Sequence, residues 1–272
     1  MKKIFFYSNK QKIAISEQYE ECAGYAKANG LEVVSDANEA EAIVTLGGDG
    51  TILRAINEKF VAPVLGVNFG GLGYLASLTY DDFIHASRQL ANGEYAVRER
   101  AMLTCGGRDA LNDIVVQREM SGHAALFELK ADEQLVATYL ADGLIFSTPT
   151  GSTAYSLAAG GPVMMPDADV TVVTPMNPHA LGIRPLVVRS DVRFTVSVRS
   201  RTAGNDLSAA VYADGEKVRS LDEGESVAIL PSARKAKFIE LDGNDPYVVL
   251  ERKLGWARRL GALYNRGLNS IY

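Results

Sequence analysis

Cysteine is scarce in this chain of 272 residues, with only Cys22 and Cys105, and they lie far apart without a CxxC pair. The three histidines, His85, His123 and His179, share no metal-ligand spacing. A structural zinc site is therefore excluded from the reading. No apolar run approaches the length needed to cross a bilayer. Met1 to Tyr7 has two lysines before a short apolar stretch, but that stretch is too short for a signal peptide and polar residues follow at once, so it reads as a first strand. A cytoplasmic protein is expected. An excess of positive charge is also missing. The formal net charge of −5 removes any global electrostatic case for nucleic acid or an anionic membrane as partner. The one basic concentration, Arg252, Lys253, Arg258 and Arg259 around Trp256, is interrupted by Gly255 and Gly261 and reads as a solvated face or a subunit contact. Finally, there is no GxxxxGK[ST] loop, which argues against the commonest nucleotide-kinase architecture, and no internal repeat or low-complexity linker.

What is present begins with Gly47-Gly48-Asp49-Gly50-Thr51, directly behind the apolar stretch Ala42 to Leu46. The two leading glycines would let the chain turn tightly off a strand and admit a ligand to the main chain. Asp49 would then project toward a phosphate cradle, and the helix starting at Gly50 and Thr51 would offer free N–H groups to an anion. A carboxylate aimed at phosphates either shares a divalent cation with them or accepts a proton from an incoming hydroxyl. A second run, Gly71-Leu72-Gly73 with Ala76, matches GxGxxG/A spacing, but Asp81 and Asp82 come too early for a dinucleotide fingerprint. It reads as a turn at the mouth of the same cleft.

From Lys3 to about Gly93 short apolar strands alternate with helical stretches, the pattern of a parallel sheet covered by helices. Strands are expected at Lys3 to Tyr7, Leu31 to Val34, Ala42 to Leu46 and Val64 to Val67. Helices are expected near Lys10 to Ala28, Thr51 to Asn57 and Tyr80 to Asn92. Beyond Gly93 the texture becomes mostly β, with strands at Ala96 to Cys105, Leu111 to Gln117, Ala125 to Lys130, Val170 to Val173, Arg193 to Arg199, Ala209 to Ala213 and Ser226 to Leu230. One helix near Ser152 to Ala159 interrupts them. The expected division is an α/β Rossmann-like nucleotide-binding domain over 1–95, a β-sandwich-like domain over 96–245, and a segment 246–272 packing back on the first domain, with the site between closely apposed domains.

Three further polar elements stand out. Ala141 to Pro162, ADGLIFSTPTGSTAYSLAAGGP, is dense in small and hydroxyl residues. Ser147, Thr148, Thr150, Ser152 and Thr153 would supply donors, the helix beginning near Ser152 would face polar ligand groups, and Tyr155 would stack on an aromatic ring while Ala154 and Ala158 leave room. Asn112 and Asp113 precede a strand and read either as a turn or as a base and ribose contact, a role open also to Asp142. Asp214-Gly215-Glu216 reads as a hairpin turn.

Taken together, GGDGT at Gly47, GVNFGGLGYL from Gly66, LND at Leu111, DGLIFSTPTGSTAYSLAAGGP from Asp142 and TPMNPHALGIRPLVV from Thr174 resemble, in order, the NAD kinases. These enzymes phosphorylate the 2′-hydroxyl of the adenosine ribose of NAD to give NADP. The resemblance implies an α/β domain followed by a β-sandwich, ATP and NAD as substrates, magnesium or another divalent cation, and a homodimer or homotetramer whose site includes residues of a neighbouring subunit. It implies Asp49 as proton acceptor with Gly50 and Arg54 in the coenzyme site, and Asn112 and Asp113 for adenine and ribose. Thr153, Ala154, Tyr155 and Ala158 would line the dinucleotide, Asp142 would touch a ribose or the nicotinamide side, and His123 and Asn177 correspond more loosely. Asp113 stands where glutamate is usual and shortens its reach. Leu140 stands where several members have arginine, and Glu216 where glutamine is more usual. Two rival readings are a diacylglycerol-type lipid kinase, which shares GGDGT but would carry a PxGTxND stretch missing here, and a catalytically silent NAD or NADP sensor.

Overall fold

The computed structural model describes residues 1–8, 15–69, 73–76, 78–119, 125–200, 208–241 and 246–255. The chain divides into two compact units, Met1–Arg98 with the segment from Lys237 onward, and Glu99–Ala236.

The first unit is built on a seven-stranded sheet in the order Glu32–Val33, Lys3–Ser8, Ala42–Leu46, Val64–Asn68, Ala236–Leu241, Tyr95–Arg100, with Leu78–Thr79 also paired to Val64–Asn68. The pairings through Lys3–Ser8, Ala42–Leu46 and Val64–Asn68 are parallel. Every residue of Ala42–Leu46 is buried, as a central strand with both faces covered requires. Helix Asp49–Asn57 buries Ile52, Ala55 and Ile56, a stripe at i, i+3 and i+4. Helix Phe83–Asn92 buries Phe83, Ala86, Ser87 and Leu90 and stops at Gly93, whose φ of 77° forms a left-handed cap. It joins helix Ile15–Ala28, where Asn29 Nδ2 donates to Ser87 Oγ at 2.9 Å.

The second unit holds two antiparallel six-stranded sheets. One runs Gln134–Ala141, Ala125–Ala131, Phe194–Arg199, Ser226–Pro231, Leu103–Cys105, Arg108–Ala110. The other runs Leu186–Arg189, Val170–Met176, Gly143–Ser147, Asp113–Arg118, Ser208–Ala213, Glu216–Asp222. Their inner faces meet in one apolar core, with Phe146 of one sheet 5.1 Å from Phe194 of the other, centroid to centroid.

Three of the differences from the sequence reading concern elements it drew otherwise. The single strand expected over Ala96 to Cys105 is two strands in different units, Tyr95–Arg100 and Leu103–Cys105. The return to the first unit begins with Ala236–Leu241, ahead of residue 246, because that strand pairs in parallel with Val64–Asn68 through Phe238 and Val64. The helix expected near Ser152 to Ala159 is a 3₁₀ turn, Thr150–Thr153, followed by a four-residue helix, Tyr155–Ala158. Ser152 Oγ donates to the carbonyl of Pro149 at 2.7 Å, and Thr153 Oγ1 to that of Thr150 at 3.3 Å. Side-chain bonds of this kind draw the backbone away from a continuous helix.

Candidate functional site

In the first unit the site is built around the turn between Ala42–Leu46 and helix Asp49–Asn57. Gly47 holds φ at 149°, a conformation only glycine takes readily, and a Cβ there would stand 2.4 Å from Thr51 Oγ1. Gly48, by contrast, has ordinary extended angles and open space around it, so the need for glycine at both positions reduces to Gly47. Asp49 occupies the first helical turn, itself half-buried between exposed Gly48 and Gly50.

Its carboxylate is not idle. Oδ2 accepts from the N–H of Tyr74 at 2.9 Å, and Oδ1 from those of Leu75 and Ala76, both at 3.2 Å. A carboxylate offers about four lone-pair positions. Described residues take three of them, and the one they leave lies on Oδ2. The loop reaches this close because residue 73 is glycine: a Cβ there would stand 2.0 Å from Asp49 Oδ1. Lys253 Nζ lies 5.8 Å from the centre of the Tyr74 ring, which gives one member of the carboxy-terminal basic group a place beside this loop. Arg54 is exposed on the last turn of the same helix. Gly71 and Leu72 of the expected second run lie outside the described residues.

In the second unit the expected residues fall into two clusters, at opposite ends of strand Gly143–Ser147. At its carboxyl end Ser147 pairs with Asp113. Thr148 N donates to the carbonyl of Asn112 at 2.9 Å, and Thr148 Oγ1 to that of Leu111 at 2.5 Å. Gly151 packs on this turn so tightly that a Cβ would meet the Asn112 oxygen at 2.0 Å. Asp214 Oδ2 accepts from Leu111 N at 2.8 Å, and its Oδ1 from Asn112 N at 2.8 Å and Asp113 N at 3.2 Å. Asp113 is buried, and its carboxylate receives no hydrogen bond from any described residue. Burial first, and then the neighbouring Asp214 carboxylate, push its pKa up to about 7.

At the amino end of the strand, Asp142 accepts from Arg118 Nε at 2.7 Å and from Asn177 Nδ2 at 2.9 Å. The Asn177 amide, then the Arg118 guanidinium and the His179 charge, hold the Asp142 carboxyl below the ordinary range against the opposing effect of burial. The five steps from Asp142 to Ser147, the partner of Asp113, separate the two clusters by roughly 16 Å at about 3.3 Å per residue.

The hydroxyl donors expected to face a ligand mostly face the protein. Ser147, Thr148, Thr150 and Ser152 are buried, and Ser147, Thr148 and Ser152 donate to carbonyls of their own unit. They brace the segment, because a buried hydroxyl without a partner is costly. Thr153, Ala154, Tyr155 and Ala158 stay accessible, with Tyr155 43% exposed. The expected amino-terminal anion site is withdrawn with the helix, since one turn of four residues carries little dipole. His123 lies outside the described residues. Arg118 and Asp214 had no assigned role in the sequence: nothing around Arg118 marked it as the partner of Asp142, and Asp214 showed only as a turn residue. A cavity of about 300 Å³ in the second unit, lined in part by Glu99, Thr148, Pro149, Asp169, Ser190 and Lys235, includes one of the expected hydroxyl donors, Thr148, but none of Asn112, Asp113, Asp142, Thr153, Ala154 or Tyr155.

A family model described as ATP-NAD kinase N-terminal domain matches residues 3–95, and one described as ATP-NAD kinase C-terminal domain matches residues 111–241. The NAD kinase of Geotalea daltonii is 36% identical over 233 residues, covering 81% of this chain and 80% of that protein. The NAD kinase of Azotobacter vinelandii is 36% identical over 247 residues, covering 86% and 83%. Among solved structures, an NAD kinase from Archaeoglobus fulgidus in complex with ATP aligns with TM-score 0.75 and 25% identity over 93% of this chain and 99% of that one. Yeast NADH kinase complexed with NADH shares the fold, with TM-score 0.81 at 22% identity over 94% of this chain and 88% of that one.

Proposed function

The chain belongs to the NAD kinase family, and we propose that it performs the family reaction with Asp49 at its centre, passing the γ-phosphate of ATP to the 2′-hydroxyl of the adenosine ribose of NAD. The observation that carries this assignment is the match of both domain models, over residues 3–95 and 111–241. Asp49 receives the ribose hydroxyl at the lone-pair position of Oδ2 that the loop amides leave unused. It orients that oxygen in line and accepts its proton as the P–O bond forms. The amides of Tyr74, Leu75 and Ala76 hold the carboxylate still. Asn112 and Asp113 take the adenine and its ribose, and Tyr155 offers its exposed ring for stacking.

Among the described residues no group of three His, Cys, Asp or Glu side chains comes together, so the chain offers no ready-made cage and magnesium would arrive with the ATP phosphates. Bound there, it would neutralise charge on the transferring phosphoryl group. The separation of the Asp142 cluster from Asn112 and Asp113 supports a homodimer or homotetramer in which Asp142, Arg118 and Asn177 serve the site of a neighbouring copy. Among the described residues no helix is long and apolar enough to cross a membrane. Residues Lys3–Ser8 form a strand; a cytoplasmic location belongs to the same proposal. The lipid-kinase reading finds no support in the relatives.

Incubation of the purified chain with NAD, magnesium and either ATP or polyphosphate, followed by quantification of NADP, tests the assignment. NADP formation with at least one donor is expected. Its absence with every donor would favour the silent sensor.

A further inference from the structure

Asp214 and Gly215 join strands Ser208–Ala213 and Glu216–Asp222, with φ of 48° and 83°. Two left-handed residues in a row are the signature of a type I′ hairpin, for which Asn-Gly serves as well as Asp-Gly. Turn chemistry therefore accounts for the backbone here, and leaves the carboxylate unexplained. That carboxylate folds back across the sheet and collects three consecutive N–H groups, of Leu111, Asn112 and Asp113, while the N–H of Asp214 donates to the Asp113 carbonyl at 3.0 Å. Three neighbouring donors pointing at one oxygen pair form an anion nest, and only an acceptor with more than one oxygen can fill it.

The contact also carries an electrostatic cost that packing does not demand. Asp113 lies buried beside Asp214 with no hydrogen bond to its own carboxyl from any described residue. A buried carboxyl group beside a second carboxylate is disfavoured in its charged form. A turn selected for stability alone would not keep both. Asp214 already has its partners, so the side chain left waiting for one is Asp113, and its direction is fixed only through the main chain that Asp214 grips.

We propose that Asp214 is a positioning residue for the coenzyme: its carboxylate clamps the 111–113 main chain and thereby aims the side chains of Asn112 and Asp113 at NAD. The inference rests on the reading that Asn112 and Asp113 contact NAD. It assigns Asp214 no contact with the reacting atoms.

The test compares Asp214→Asn with Asn112→Ala and the unaltered chain, varying NAD at saturating ATP and then the reverse, with thermal melts alongside. Asparagine keeps the left-handed preference and the volume of Asp214 while removing one oxygen and the charge. The expected result is a KM for NAD raised about tenfold or more, as small misplacements of binding groups produce, with kcat and the KM for ATP within about threefold of the unaltered chain. Should Asp214→Asn fail to fold, Asp214→Ser, which keeps one acceptor, supplies the same readout. An unchanged KM for NAD in a folded variant, or an equal rise in both KM values, would overturn the proposal. Failure of both variants to fold would also overturn it, by making Asp214 a stability residue. If Asn112→Ala leaves the KM for NAD untouched, the underlying reading of the pair has failed. If it raises that KM and Asp214→Asn does not, only the clamp has failed.

Discussion

At the scale of single residues, Asp49 is a carboxylate whose capacity is nearly spent. Three backbone donors hold it, and among the described residues nothing fills the remaining acceptor position on Oδ2, which the proposed reaction gives to the ribose hydroxyl. Asp49→Asn should lose about 10² to 10⁴ in turnover while folding normally, since a positioned base contributes that much. Steady-state rates with a circular-dichroism check decide it, and near-normal turnover would remove Asp49 from the reaction. Asp113 leads to a stability prediction. Its pKa in the fold, about 7, lies above the ordinary 3.8. The native state therefore holds a proton that the unfolded chain has released between those values, and stability falls as pH rises through that window. Asp214, also raised by burial, acts in the same direction. The penalty at Asp113 is on the order of 4 kcal/mol once pH passes 7. Melting curves of the unaltered chain and of Asp113→Asn should diverge between pH 4 and pH 8, with the variant gaining relative stability as pH climbs. Parallel curves would show that Asp113 is not strained. Asp49, Asn112 and Asp113 stood out in the sequence because each lies in a short polar run, and their part in binding and catalysis belongs to the proposal. It could not show that Ser147, Thr148 and Ser152 turn inward, since a hydroxyl that braces the backbone and one that meets a ligand look alike until burial is known.

At the scale of elements, the helix bearing Asp49 is held by Ile52, one turn further along and fully buried. Its Cδ1 lies where a Cβ on Gly66 would come within 2.5 Å, so strand Val64–Asn68 and the helix touch through it. Ile52→Ala should cost about 2–5 kcal/mol by urea unfolding. A cost below about 1 kcal/mol would show that the neighbourhood collapses around the gap. Which strands were legible follows from their place in the sheets. Ala42–Leu46 and Ala125–Ala131 announced themselves by apolar runs or alternation. The four strands at the edges of the sandwich sheets, Gln134–Ala141, Arg108–Ala110, Leu186–Arg189 and Glu216–Asp222, escaped the reading. An edge strand pairs on one side only and tolerates polar and charged residues, so its pattern fades; Gln134, Leu135 and Val136 are all exposed. Gly143–Ser147 was hidden for another reason. It is central and wholly buried, but lies inside a stretch whose small and hydroxyl residues read as a binding loop.

At the scale of the whole molecule, two polar clusters at either end of one short strand cannot both crowd a single adenosine, which motivates the proposed assembly of two or four copies. Light scattering behind size exclusion should return two or four times the 29.3 kDa chain mass. Arg118→Ala should then weaken NAD binding in the assembled protein, and a fully active monomer would overturn the shared site. The broad division into an α/β part and a β part was legible from the change of texture after Gly93. The strand that crosses back was not, because its parallel partner Val64 lies 174 positions earlier in the chain, and local patterning carries no trace of so distant a neighbour. That strand, Ala236–Leu241, sits inside the first sheet between Val64–Asn68 and Tyr95–Arg100. During synthesis, the ribosome delivers every residue of the sandwich before it releases this one. The amino-terminal sheet must therefore wait, open along an interior seam, while the later-made sandwich can already close, and the usual order in which the first-translated part matures first is reversed.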